Sequence, residues 1–251
     1  MNSNFREEKL FIENKYGEKL VGLCATPNIR KENYKTIILV HGFMVTKHEG
    51  YFDEIIKLLV SKNYVVFRFD FSGCGESEGD YSRTSITKLK EDLSSIFDYV
   101  KNQSFVDKEN ISIIAQSMGV PVSLALSPKI KSIILVAPGY NLSKFMKRFE
   151  LNSEANMYER LSSSRGIIKV SSNFFTEFRK YNFFSSCSGM LCPVLIIGAE
   201  QDKKIDSEDV KTLYYNITNP KELHMVSGAD HEFIGYRKEL FSIVLNWLEK
   251  Y

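Results

Sequence analysis

A serine between small residues, Ala115-Gln116-Ser117-Met118-Gly119, is the most reactive-looking stretch of this chain. Ile111-Ser112-Ile113-Ile114 leads into it, an apolar, β-branched run that reads as a buried strand. Val120-Pro121-Val122-Ser123-Leu124-Ala125-Leu126 follows and opens a helix with proline in its first turn. Strand, sharp turn and helix form the setting in which a serine hydroxyl is lifted clear of a sheet edge as a nucleophile. So tight a turn admits only small residues two before and two after the serine, and Ala115 and Gly119 meet that demand. The Met118 amide, at the helix N-terminus, would then point at any negative oxygen formed beside the hydroxyl. Taken alone the pattern is short, and Ser117 reads equally as a helix N-cap after a strand.

The elements around this turn alternate in type. Lys9–Glu13 and Lys19–Ala25 flank Asn14-Lys15-Tyr16-Gly17 and read as an opening antiparallel hairpin. Thr36–Val40 is a continuous apolar strand that runs into His41-Gly42-Phe43. A helix spans Phe52–Ser61, a strand Tyr64–Asp70, and Leu89, Leu93, Ile96, Phe97 and Val100 mark one face of a second helix. Strands recur at Lys131–Ala137, stopped by Pro138-Gly139, at Cys192–Gly198 and at Glu222–Val226. A last helix buries some of Leu240, Ile243, Val244, Trp247 and Leu248. The alternation argues a parallel α/β sheet. From Tyr140 to about Gly189 strand-like runs vanish, and basic residues (Lys144, Lys147, Arg148, Arg160, Arg165, Lys169) mix with aromatics.

In these features the chain resembles the α/β-hydrolase superfamily, with Ala115 standing where the usual motif has its first glycine. The resemblance implies a mostly parallel sheet of about eight strands with helices on both faces. It implies a core from residues 1–139 and 190–251, and a small cap of short helices or a hairpin inserted at 140–189. It also assigns roles. Ser117 is the nucleophile, Asp202 the acid and His231 the base, in the chain order Ser, Asp, His. The Phe43 amide joins that of Met118 as the oxyanion hole, and His41 shapes it without acting as the base. Asp206 competes with Asp202, but its place suits an N-cap for a helix starting near Ser207. His48 reads as a solvated loop residue and His224 as part of a strand. Asp70 and the glycines of Phe71-Ser72-Gly73-Cys74-Gly75-Glu76-Ser77-Glu78-Gly79 read as holding a tight loop under the site, without the lysine of a phosphate-binding loop. Loop style is most similar to the esterase, monoacylglycerol-lipase and serine-aminopeptidase-like group, and more distantly to bacterial cinnamoyl or feruloyl esterases.

Composition narrows the alternatives. A length of 251 residues allows one large α/β domain, and a net charge of +2 gives no argument for nucleic acid or an anionic membrane. In the basic and aromatic stretch, Glu150, Glu154, Glu159 and Glu177 interrupt the positive charge, which argues against single-stranded nucleic acid. The four cysteines show no metal spacing, no metal or cofactor motif is visible, and the N-terminus lacks an apolar signal core. No run approaches a membrane span, so a cytoplasmic protein without a stable membrane anchor is expected. The expected partner is a small-molecule ester. Acyl length, alcohol group and oligomeric state are not legible. The expected reaction is serine-dependent hydrolysis of a carboxylic ester with a small, medium or aromatic acyl group. An aminopeptidase or thioesterase would use the same triad, with Glu150, Glu154 or Glu159 available to hold an amine. A receptor on the same fold would not need all three residues.

Overall fold

The computed structural model describes residues 5–28, 32–48, 50–162 and 166–251; Met1–Asn4 and Arg165 lie outside them. Phe5–Glu13 (β1) and Lys19–Pro27 (β2) pair antiparallel as the expected hairpin. Tyr34–Val40 (β3), helix Phe52–Ser61 (α1), Val65–Phe69 (β4) and helix Ile86–Lys101 (α2) follow. Next come Val106–Gln116 (β5), helix Gly119–Leu126 (α3) and Ser132–Val136 (β6).

The chain then leaves the sheet through helix Leu142–Met146 (α4), strands Glu150–Asn152 (β7), Met157–Ser162 (β8) and Gly166–Ser171 (β9), and helices Ser172–Phe178 (α5) and Phe183–Gly189 (α6). It returns in Val194–Ala199 (β10), helix Ser207–Asn216 (α7), Lys221–Val226 (β11) and helix Arg237–Lys250 (α8). The main sheet has the order β1-β2-β4-β3-β5-β6-β10-β11, parallel from β4 onward. This is the α/β-hydrolase fold.

Both faces of the sheet are covered, which is why its strands read as unbroken apolar runs. Successive side chains of β3 part company: Ile38 and Val40 join one core with α2 and α3, while Ile37 and Leu39 join another with α1 and α8.

The 140–189 segment is where the structure says more than the sequence. It holds short helices, as expected, but also a three-stranded antiparallel sheet, β7-β8-β9. The expected alternatives were short helices or a hairpin, and both are present, with one strand more than a hairpin; the strands could not be placed individually because they are short, and because Glu159 and Lys169 face each other across β8 and β9 where an apolar alternation would have shown. Phe145, Phe149, Phe174, Phe175, Phe178 and Phe183 are buried in the same core as α2 and α3, so most of the segment's aromatics pack it onto the sheet.

Candidate active site

The turn after β5 is strained in the way the small flanking residues foretell. Ser117 has φ 53°, a left-handed conformation that costs an L-residue energy and must be held by its surroundings. Its amide donates to the Val136 carbonyl at 2.9 Å, and its carbonyl accepts from Val120 and Gly139 amides at 3.1 Å each. Gly119 has no alternative: a Cβ there would stand 2.5 Å from the Val40 carbonyl oxygen. Ala115, by contrast, is fully buried between β3 and β6, where its methyl is accommodated.

Across from the turn lies His41-Gly42-Phe43, so close that a Cβ on Gly42 would sit 3.2 Å from that of Ser117. His41 is buried and spans two loops. Its Nε2 accepts from the Phe71 amide at 3.1 Å, which leaves the proton on Nδ1 to donate to the Gly42 carbonyl at 2.9 Å. Burial drives its pKa down to about 4, so the ring is neutral and committed at both nitrogens. It therefore shapes the loop, as expected, and is unfit to be a base. Phe43 and Met118 line one cavity with Ser117, and among the described residues neither amide is taken by a protein acceptor.

Beneath this loop sits an ion-pair cluster. The Lys47 ammonium, with a side chain 1 % exposed, pairs with the fully buried Asp70 carboxylate at 2.5 Å and with Glu76 at 2.7 Å. Asp70 also accepts from the Lys47 amide at 2.7 Å and the Glu76 amide at 3.0 Å. Gly75, at φ 51°, would clash with that carboxylate if it carried a Cβ. Asp70 thus ties the glycine-rich loop to the loop bearing Phe43.

The remaining residues arrive from the other half of the sheet. Asp202 lies in the turn after β10, its Oδ1 accepting from the Lys204 and Ile205 amides at 2.7 and 3.0 Å. Its Oδ2 accepts from His231 Nδ1 at 2.6 Å, and the two side chains are 2 % and 9 % exposed. Burial pushes the Asp202 carboxyl up. The His231 hydrogen bond and the two amides outweigh it and hold the group below its ordinary range. His231, in the loop after β11, lines the Ser117 cavity, with Nε2 left for whatever enters it. No hydrogen bond closes between His231 and the Ser117 hydroxyl, a looseness common in ligand-free sites.

The rival candidates sit in different surroundings. Asp206 takes the N-cap position of α7 but makes no side-chain cap bond; its carboxylate instead pairs with Lys144. His48 is half exposed beside Asp53, and His224 is half exposed on β11.

The cavity, about 150 Å³, has walls that the sequence did not mark as part of a site: Arg148 and Arg160 from the 140–189 segment, Lys204 from the Asp202 turn, and Glu232 beside His231. The two arginines were visible only as members of a basic and aromatic stretch, and nothing in their spacing singled them out. Among the described residues no helix is long and apolar enough to cross a membrane, and no group of three His, Cys, Asp or Glu is placed to hold a metal ion.

Known proteins resemble this chain in sequence and in fold. "Uncharacterized protein YfhR" of Salmonella typhimurium is 27 % identical over 217 residues, 80 % of this chain and 66 % of that one. The lysophosphatidylserine lipase ABHD12 of Xenopus tropicalis is 26 % identical over 235 residues, 86 % of this chain and 58 % of that one. The chain thus spans about two thirds or less of the length of these two relatives. Among solved structures, Est1E of Butyrivibrio proteoclasticus bound to ferulic acid superposes with a TM-score of 0.84 at 21 % identity, over 96 % of this chain and 98 % of that one. The family described as "Serine aminopeptidase, S33" matches residues 31–173, from β3 through the Ser117 turn and most of the following segment, and this α/β-hydrolase chain belongs to it.

Proposed function

We propose that this protein is a serine carboxylester hydrolase acting on small-molecule esters in the cytoplasm. The observation that carries the reading is the 2.6 Å bond from His231 Nδ1 to a buried Asp202, with the same imidazole facing the cavity that Ser117 enters from a strained turn. Asp202 fixes the tautomer that leaves Nε2 unprotonated, and it stabilises the imidazolium that forms. Nε2 takes the Ser117 proton as Oγ attacks the ester carbonyl carbon. The oxyanion settles on the Phe43 and Met118 amides. Collapse breaks the bond to the alcohol oxygen, which leaves with the proton from His231. Water repeats the sequence on the acyl-enzyme and releases the acid. Ester cleavage is further supported by the relative named a lysophosphatidylserine lipase. Four buried cysteines that form no disulfide among the described residues suit a reducing compartment.

The family's description keeps an aminopeptidase in view, but the wall chemistry favours esters. Glu150 and Glu154 are exposed and Glu159 pairs with Lys169 at 3.3 Å, and none of them lines the cavity. A thioesterase would need the same three residues and differ only in substrate.

The test is hydrolysis of p-nitrophenyl esters from acetate to palmitate, together with labelling by a fluorophosphonate probe. Wild type should turn over and label, while Ser117→Ala should lose the label and about 10⁶ in kcat. A folded Ser117→Ala variant with full turnover overturns the assignment. Cleavage of aminoacyl amides but of no ester moves the protein to the peptidases.

A further inference from the structure

On the reading above, the Phe43 amide is one of two donors offered to the oxyanion, and its loop is held by more than the main sheet. The half-buried Phe43 ring lies among four other rings, each set edge to face against it. Between ring centres Tyr81 stands 5.3 Å away, Phe145 5.0 Å, and Phe149 and Phe174 5.9 Å each. These are separations and tilts at which aromatic pairs attract beyond their buried area. Three of the four rings belong to the segment inserted between β6 and β10. The fourth, Tyr81, opens a short 3₁₀ turn, Tyr81–Arg83, against which β9 of that segment packs. Its hydroxyl accepts from the Met44 amide at 3.2 Å. Met44 has φ 52°, a left-handed conformation that an L-residue keeps only where its surroundings hold it. Two successive amides are thus sorted: that of Met44 goes to Tyr81, while that of Phe43 has no protein acceptor among the described residues. The glycine-rich loop seats Tyr81 in turn, since a Cβ on Gly73 would stand 2.3 Å from the Tyr81 nitrogen.

We propose that Tyr81 and Phe174 are positioning residues for the Phe43 amide, so that the inserted segment helps to set the rate of bond breaking as well as covering the site. The proposal rests on the serine-hydrolase reading and deepens it. Tyr81 and Phe174 are both buried and neither lines the cavity, so any effect they have on catalysis passes through the loop they hold. Phe145 does line the cavity and would touch the substrate directly. A backbone donor acts only where it meets the developing oxyanion at hydrogen-bond distance. Misplacing such a group by about 1 Å can cost about 10²-fold in rate. The Phe43 amide cannot shift without its own side chain, and a ring wedged among four others has little room to move.

Kinetics on the best p-nitrophenyl ester, with an alkyl trifluoromethyl ketone as a second probe, test this. Ser117 Oγ adds to the ketone's carbonyl carbon, the serine proton passes to His231, and the carbonyl oxygen becomes the oxyanion with no group leaving. Fluorine NMR reads that adduct without turnover. Tyr81→Phe keeps the ring and loses the hydroxyl; Phe174→Leu removes one wall of the clasp. Each should lower kcat about tenfold or more and weaken ketone binding by a similar factor, with KM within about threefold, because the loss falls on the transition state. Phe178→Leu is the control. Phe178 lies 6.0 Å from Phe174 and 5.0 Å from Phe183 between ring centres, and makes no ring contact with Phe43 among the described residues. That variant should lower the urea midpoint about as much as Phe174→Leu while kcat stays within about twofold of wild type. Wild-type kcat and ketone affinity in Tyr81→Phe or Phe174→Leu overturns the role of that residue. Equal kcat losses in Phe174→Leu and Phe178→Leu overturn the role of Phe174, since general loosening of the core then accounts for both. If Phe174→Leu does not fold, Tyr81→Phe decides. A wild type that turns over, with variants that match it, fails this proposal alone. A wild type inert to esters, to the fluorophosphonate and to the ketone fails the hydrolase reading and this proposal with it.

Discussion

Asp202 and Asp206 belong to the same turn and meet opposite surroundings. The first is sealed against His231; the second stands in solvent beside Lys144. Asp202→Asn should therefore cost about 10⁴ in kcat, because the amide favours the wrong imidazole tautomer. Asp206→Asn should change kcat less than tenfold, since an exposed ion pair is worth about 1 kcal/mol or less. A steady-state comparison of the two decides the acid, and the reverse ranking would give the role to Asp206. His41 supports a prediction about pH. Its folded pKa of about 4 lies below the unfolded value near 6.5, so the unfolded chain binds the extra proton first as pH falls. Stability from this group is full above about 6.5 and is lost on going down to about 4. It amounts to about 3 kcal/mol on the scale of 1.36 kcal/mol per pKa unit. Urea unfolding from pH 7 to 4 should show that slope, and His41→Ala, less stable at pH 7, should flatten it. Ser117, Asp202 and His231 could be picked out as candidates in the sequence because each follows a strand whose apolar run ends abruptly. The arginines of the cavity were not, because a basic residue on a short, half-exposed element carries no periodic signature.

Among the elements, the loops after β3 and β4 act as one piece, pinned by Lys47 and Asp70. Removing one member of a buried ion pair strands the other, at a cost of about 3–5 kcal/mol. Lys47→Met should destabilise the protein by about that much in denaturant titrations, and the Lys47→Met/Asp70→Asn pair by less than the sum of the singles. Because this loop delivers the Phe43 amide, kcat should fall more than KM changes. Asp70 was readable as a loop holder from its place at a strand end. Lys47 was not, since lysine is seldom fully buried and its partner lies two loops away in sequence. Strand edges were similarly uneven. α1 lies where its apolar face predicts, but β5 begins at Val106 and not at Ile111. Asp107–Asn110 are polar, and a register shift against β3 intervenes.

At the scale of the whole molecule, the central strands β3, β6 and β10 and the Ile111–Gln116 part of β5 are buried on both faces, whereas β7 is exposed throughout. Amide hydrogen exchange should be slowest in the former and faster by orders of magnitude in the β7-β8-β9 sheet. Equal protection would mean that the inserted segment opens only with the whole protein. The sheet order could be inferred as parallel from the alternation of strands and helices. The inserted sheet could not, since its burial comes from Phe174, Phe175 and neighbours that a linear reading sees only as scattered aromatics.

The wide spacing of the site along the chain has a consequence in time. Ser117 leaves the ribosome well before His231; at roughly 5–20 residues per second the interval is on the order of ten seconds. Until β10 and β11 dock beside β6, the newborn serine lacks the base and acid proposed for it and is an ordinary hydroxyl. On the proposed reading, the reactive centre is completed only when β10 and β11 have been made, and a chain that stops at β6 would lack the chemistry proposed for it.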